Sequence, residues 1–409
     1  MKRYTFNPTL GNDIYYCDVE ARTFGDRIDL YGTSGRDGRT FRVYSSDDMV
    51  NWTDHGAAFS ADDVKWIDSA KIWAPDCVCK DGRYYLYYCV PTGELGVAVS
   101  DCPYGPFKDL GKIEKAHGID PAVLVDDDGQ AYLYWGQLDN IRAAKLKDNM
   151  REIEESTITQ PLSVKEHEFH EGGSVRKVNG RYYYVYTDTH RRGKATAQGY
   201  AVSDNPLTGF QYKNIIVDNF DLDPKSWNNH GCIQDFKGQW YIFYHRATHG
   251  IHSWGQPRQL CIERIYLDEQ GEIAEVLPTT SGAGMSIAAE NSIPAACACG
   301  LSGKTYFAVD TESKYGLSIK NIEPSSTATF RYIEFDGETE FALTLKGEGV
   351  CRVELYIDGM YCADSKFTLG IFFQEHTMKI PKIFGKKEIT LKFFGLFDQA
   401  SCDRISFSK

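Results

Sequence analysis

Five ionisable side chains stand at comparable places along this 409-residue chain: Asp18, Asp76, Asp120, Glu171 and His230. They precede Gly25, Gly82, Gly129, Gly180 and Gly238 by 7, 6, 9, 9 and 8 residues respectively. A single carboxylate before a turn is ordinarily a turn residue, since Asp accepts nearby backbone N–H groups. Five such groups brought around one axis are a different matter. Their mutual repulsion and loss of water are costly unless a bound ligand or metal compensates, so the pattern points to a pocket for acid–base chemistry.

The elements that would carry these residues repeat. "FGDRIDLYGTS", "KDGRYYLYYCV", "DDDGQAYLYWG", "VNGRYYYVYTD" and "FKGQWYIFYHR" each join polar residues and a glycine to an aromatic-rich run, with the glycines 57, 47, 51 and 58 residues apart. Each phrase reads as a hairpin turn followed by a half-buried strand. A second phrase follows some of them, as "VAVSDCPYGPF" from Val97 and "YAVSDNPLTGF" from Tyr200, with a looser copy, "VYSSDDMVNW", from Val43. Units of about 50 residues built from short strands are the blades of a propeller, and five repeats predict five blades. The innermost strand of each blade lines the central channel, so the five ionisable residues are expected to ring it.

Composition narrows the partners. The net charge is −12, and no Lys/Arg run appears, which argues against nucleic acid or an anionic membrane. Aromatic residues make up 13% of the chain, suiting strands and surfaces that face carbohydrate. No stretch of 18 apolar residues occurs, and the N-terminus lacks the apolar core of a signal peptide; a cytoplasmic location is expected unless a signal was removed. The 12 cysteines lack zinc-site spacing and are expected to be reduced core thiols.

Taken together, "CDVEA" at Cys17, "IWAPD" at Ile72, "GIDPAVLVDDDGQAYLYWG" at Gly118, "HEGGSVRKVNGRYYYVYT" at His170, "NNHGCIQDFKGQWYIFYHR" at Asn228 and "PRQLCIERIYLDEQGEI" at Pro257 resemble glycoside hydrolase family 43. That family comprises five-bladed arabinofuranosidases and xylosidases. The resemblance covers about residues 5 to 280 and departs at Val19, where members usually carry proline after the first catalytic aspartate. It implies an inverting hydrolase removing arabinofuranosyl or xylosyl residues from plant polysaccharide fragments. Asp18 would be the general base, Glu171 the general acid, and Asp120 the acid that orients Glu171 and raises its pKa. Two alternatives stay open: a retaining hydrolase like the five-bladed sucrose and fructan enzymes, whose "NDPNG" and "ECP" motifs are replaced here by "CDVEA" and "HEGG", and a sugar-binding propeller without catalysis.

The resemblance also nominates His230 as a channel histidine near a calcium ion or water, binding either metal or substrate, and Arg258 as a donor fork for sugar hydroxyls. Trp73 is read as a sugar-stacking ring or an inter-blade core residue, and Asp76 as a structural acid accepting backbone N–H bonds. "VDDDG" at Val125 is read as hairpin chemistry over a calcium loop. The fold expected is thus all-β: a propeller over residues 1–280, a linker over 281–303 rich in small residues, and a smaller antiparallel β-sandwich over 304–409. The last resembles a carbohydrate-binding module, closest to family 6, with a bracing domain as the equal alternative.

Overall fold

In the computed structural model, residues 6–11, 14–68, 70–191, 193–220, 222, 229–247 and 258–409 are described. Asn228 and Pro257, at the ends of two quoted motifs, lie outside them. Five small antiparallel sheets precede one larger sheet. Blade one is β1 (Tyr16–Phe24), β2 (Arg27–Ser34), β3 (Thr40–Ser46) and β4 (Thr53–Ser60). Blade two is β5 (Trp73–Lys80), β6 (Arg83–Cys89), β7 (Glu94–Ser100) and β8 (Lys108–His117). Blade three has β9 (Ala122–Val125), β10 (Ala131–Trp135) and β11 (Arg142–Lys145). Blade four has β12 (Ser174–Val178), β13 (Arg181–Asp188), β14 (Ala197–Ser203) and β15 (Gln211–Asp218), and blade five β16 (Cys232–Phe236), β17 (Gln239–Ala247) and β18 (Arg258–Ile265).

The repeated phrases form the hairpins joining the first two strands of each blade. In Asp81-Gly82, Asn179-Gly180 and Lys237-Gly238 both residues take positive φ, the backbone of a type I′ turn whose twist matches that of the flanking strands. The alternating aromatic residues then bury against the next blade. One apolar cluster joins blades one and two through Tyr31, Phe41, Leu86 and Tyr88, and another joins two and three through Tyr87, Val97, Leu133 and Trp135. Tyr134, Val175 and Tyr184 link three to four, and Val185, Tyr200, Ile242 and Tyr244 link four to five. Tyr16, Leu30, Phe243 and Leu260 close the ring between blades five and one. The N-terminal segment helps to fasten it: Asn7 exchanges hydrogen bonds with Ile262, and the Thr9 N–H donates to the Leu260 carbonyl.

The second unit is an eight-stranded sheet of β19 (Ile287–Ala288), β20 (Ile293–Pro294), β21 (Gly300–Leu301), β22 (Tyr306–Val309), β23 (Leu317–Ile322), β24 (Thr327–Ile357), β25 (Met360–Leu369) and β26 (Gln374–Ser408). It curls on itself, since Glu340 of β24 pairs with both Lys379 and Ser408 of β26, and encloses a core including Leu343, Val353, Leu355 and Ile405. All its pairings are antiparallel except that of β19 with β24. Residues 281–303, read from composition as a linker, contribute β19 to β21 and the buried Ala295, Ala296, Cys297 and Ala298. Small size there serves close packing. All twelve cysteines are free thiols, most of them buried. Among the described residues no helix is long and apolar enough to cross a membrane.

Candidate active site

The strand pairings set the phase of the ring. Glu20, Asp76, Ala122, Ser174 and Cys232 pair with Tyr31, Tyr87, Tyr134, Val185 and Phe243 on the second strands. Two residues earlier in each blade come Asp18, Ala74, Asp120, Gly172 and His230. The first four have left-handed φ of 52°, 47°, 52° and 67°. Such a backbone, with one-residue bulges in β1 and β5, turns the chain end inward and re-aims a side chain. The expected ring of Asp18, Asp76, Asp120, Glu171 and His230 is therefore corrected at two places. Asp76 lies two residues deeper, level with Glu20, and Glu171 stands one residue ahead of the ring position, which Gly172 fills. Val19 leaves this geometry intact, because the bulge around Asp18 matches that around Ala74, where Pro75 follows.

Asp18 is held by three groups. Its Oδ1 accepts from Arg258 Nη1 at 2.8 Å, its Oδ2 accepts from the Cys17 thiol at 3.2 Å, and its N–H donates to His245 Nδ1 at 3.4 Å. Arg258 also reaches the Tyr15 hydroxyl with Nη2 at 3.2 Å. Only 6% of Asp18 is exposed. Burial alone would raise its carboxyl, but the Arg258 guanidinium, with His230 and His245 close by, holds it well below the usual carboxylate range.

Asp120 experiences the opposite environment. Burial, followed by the charges of Glu171 and Asp18, pushes its carboxyl well above the ordinary value, against the hydrogen bond its Oδ2 accepts from the Gly172 N–H at 3.1 Å. That bond ties Asp120 to the peptide immediately after Glu171. Glu171 is 6% exposed, and its carbonyl accepts from the Thr187 N–H at 3.0 Å. The two glycines of "HEGG" are needed for close approach. A Cβ on Gly172 would lie 2.9 Å from His230 Cγ, and one on Gly173 2.4 Å from the Tyr184 ring. His230 stands between the acids, its Nδ1 3.8 Å from both Asp18 Oδ1 and Asp120 Oδ2, and burial lowers its pKa against the pull of the Asp18 charge.

Asp18, Asp120, Glu171, His230 and Arg258 are thus brought together. Trp73 begins β5 at the same end of its blade, with its indole against Gly38 and its ring packed on the cluster of blades two and three. Tyr15, Cys17 and His245 were not singled out from sequence. His245 had a legible signal: equivalent second-strand positions carry Thr33, Cys89, Gly136 and Thr187, so it is the one imidazole among them.

The match to a family model settles what these residues belong to. The glycosyl hydrolases family 43 model spans residues 7–273, all of the site included. The chain belongs to glycosyl hydrolases family 43. It is 31% identical over 424 residues to a xylosidase/arabinosidase of Thermoclostridium stercorarium, covering 86% of this chain and 87% of that one. Among solved structures it is similar to a β-xylosidase/α-arabinofuranosidase from a compost metagenome, crystallised with xylotriose in its calcium-free form (TM-score 0.58, 28% identity, 67% and 98% of the two chains). A family 43 arabinoxylan arabinofuranohydrolase from Bacillus subtilis, solved with cellotetraose, shares the fold over 99% of this chain and 98% of its own, with a TM-score of 0.59 at 22% identity.

Behind the acids, this family 43 channel is filled by ion pairs. Arg22 forks onto Asp76 with contacts of 2.6 to 2.9 Å and donates to the Val123 carbonyl, while Asp76 also accepts the Val123 N–H at 2.7 Å. Arg176 reaches Glu20 at 2.6 Å and the Ala21 carbonyl at 2.9 Å. These four side chains are almost wholly buried. Calcium takes six to eight oxygen ligands. Among the described residues no three His, Cys, Asp or Glu side chains converge as a metal cluster, the carboxylates nearest His230 are engaged by Arg258 and Gly172, and two guanidinium groups occupy the channel behind. The residues do not fit a calcium ion at His230, and no step below passes through one.

Proposed function

We propose that this family 43 glycosidase inverts configuration as it removes arabinofuranosyl or xylosyl residues from plant polysaccharide fragments. The observation carrying this reading is the split environment of the carboxyls: Arg258 keeps Asp18 ionised, whereas burial and mutual repulsion hold a proton on the Asp120–Glu171 pair. Carboxyl groups pushed apart in this way are an acid and a base. Asp18 takes a proton from water as its oxygen bonds to the anomeric carbon. The glycosidic C–O bond breaks, and Glu171 gives its proton to the departing oxygen. Asp120 and Glu171 each make the other's proton harder to lose, so one proton stays on the pair for the departing oxygen, and the Gly172 contact aligns the two. Arabinose and xylose units suit the site by analogy with the xylosidase/arabinosidase relatives and because a neutral sugar accords with the chain's net charge of −12.

A calcium ion in the channel is the part of the expected reading that the donor set does not support. Arg22 and Arg176 supply positive charge in its place. The test of the main reading is a panel of chromogenic arabinofuranosides, xylosides and galactosides, followed by proton NMR of the first-formed anomer on the best substrate. Inversion is expected. Net retention at early time would replace water activation by a covalent intermediate on Asp18, and no turnover of any pentoside would remove the substrate assignment.

A further inference from the structure

Arg246 is 1% exposed and lies where the propeller meets the curled sheet. Its Nη1 donates to the Ala298 carbonyl at 2.7 Å and its Nη2 to the Ala296 carbonyl at 2.6 Å. Its guanidinium carbon sits 5.1 Å from the centre of the Phe307 ring. These three partners belong to the second unit, and Nη2 also reaches the Asn7 carbonyl of the propeller's N-terminal segment at 3.5 Å. No carboxylate among the described residues lies within ion-pair distance of Arg246, though buried Glu263 feels its charge, and its Nε has no acceptor. A buried cation held by neutral carbonyls and a ring, with no salt bridge, is an expensive way to join two domains.

Its position in the sheet suggests why it is used. Arg246 follows His245 in β17 and pairs with Gln259, the residue after Arg258 in β18. His245 and Arg258 are the two groups from blade five that grip Asp18, one on its N–H and one on its carboxylate. Alternation along the strand sends His245 toward the channel and Arg246 toward the sandwich. One clamp therefore fixes the ends of both strands that hold Asp18.

We infer that the C-terminal sandwich is a working part of the active site, and that Arg246 is the positioning residue through which it sets His245 and Arg258 against Asp18. The inference rests on the reading of Asp18 as the general base. Loosening the clamp should let Arg258 and His245 withdraw from Asp18, so that its carboxyl becomes harder to ionise.

The experiment compares pH profiles of kcat/KM for the full chain, Arg246→Met, Arg246→Lys and Phe307→Leu, with Val353→Ala as a sandwich-core control. Expected are an acidic limb raised by about one pH unit, a tenfold change in proton affinity, in Arg246→Met, smaller rises in Arg246→Lys and Phe307→Leu, and none in Val353→Ala despite a lower melting temperature. If Arg246→Met fails to fold, the two milder variants carry the test. An unmoved acidic limb in every folded variant, or an equal shift in Val353→Ala, overturns the inference. Asp18→Asn separates the two failures: if it is inactive while the limb stays put, only the clamp is refuted, and if it remains active the base assignment itself falls.

Discussion

Arg258 Nη1 lies 2.8 Å from Asp18 Oδ1, an ion pair between the last strand of blade five and the first strand of blade one. The contact crosses the seam where the ring closes, and it gives the nominated base its charge. Arg258 was expected to present its fork to sugar hydroxyls. Here it is engaged by Asp18 and Tyr15, so on the proposed reading its first effect is electrostatic.

Replacing Arg258 by Met should accordingly do more than weaken substrate binding. The folded-state pKa of Asp18 is depressed, so the base is ionised throughout the ordinary working range and the acidic limb lies low. Without the guanidinium, burial dominates and that limb should move up by about one unit or more, with kcat falling at least ~10-fold at mildly acidic pH. A pH profile in which only KM changes would return Arg258 to a purely substrate-binding role.

Glu171→Gln should separate substrates by leaving group. The variant cannot protonate the departing oxygen, which matters for a sugar alcohol and little for a nitrophenolate that leaves unaided. The loss in kcat is expected to be at least ~10² on a natural oligosaccharide and much smaller on the nitrophenyl glycoside. Equal losses on both would point to a role for Glu171 other than proton donation.

The channel ion pairs predict insensitivity to chelators. Arg22 and Arg176 already balance Asp76 and Glu20, so prolonged EDTA treatment followed by gel filtration should leave kcat and the melting temperature unchanged. Arg22→Met, by contrast, strands a buried carboxylate and should cost about 3–5 kcal/mol of stability. Loss of activity on chelation, restored by calcium, would show that a cation site exists despite the donor set.

Much of this was readable in the chain, and the exceptions have physical causes. Turn glycines and alternating aromatics are local signals, so five hairpins and five blades follow from them. The phase of the ring is not local. The ring position precedes the hairpin glycine by 7, 8, 9, 8 and 8 residues in the five blades, so counting back from the glycine let Asp76 stand in for Ala74 and Glu171 for Gly172. The partners of Asp18 were hidden by distance along the chain, since His245 and Arg258 are 227 and 240 positions away. Residues 281–303, read as a linker and the start of a second unit, carry β19 to β21, for Ala and Gly serve a linker and a tightly packed joint equally well.

Asp120→Asn tests the remaining carboxyl through the other limb of the profile. After burial, the Glu171 charge is the largest influence raising the Asp120 carboxyl, so the first proton lost from the two makes the second harder to remove. On the proposed reading this repulsion keeps a proton on Glu171 toward neutral pH, and activity falls only once that proton leaves. An amide at position 120 removes the charge but can still meet the Gly172 N–H through its carbonyl oxygen, so backbone alignment should survive. The basic limb of kcat/KM should therefore shift to lower pH, toward the ordinary glutamate range of about 4.3, while the acidic limb set by Asp18 and Arg258 moves little. The optimum would narrow and turnover at pH 7 would fall by about 10²-fold, the magnitude of a lost proton donor. A basic limb that does not move, with activity reduced equally at every pH, would mean that Asp120 orients Glu171 without tuning its proton.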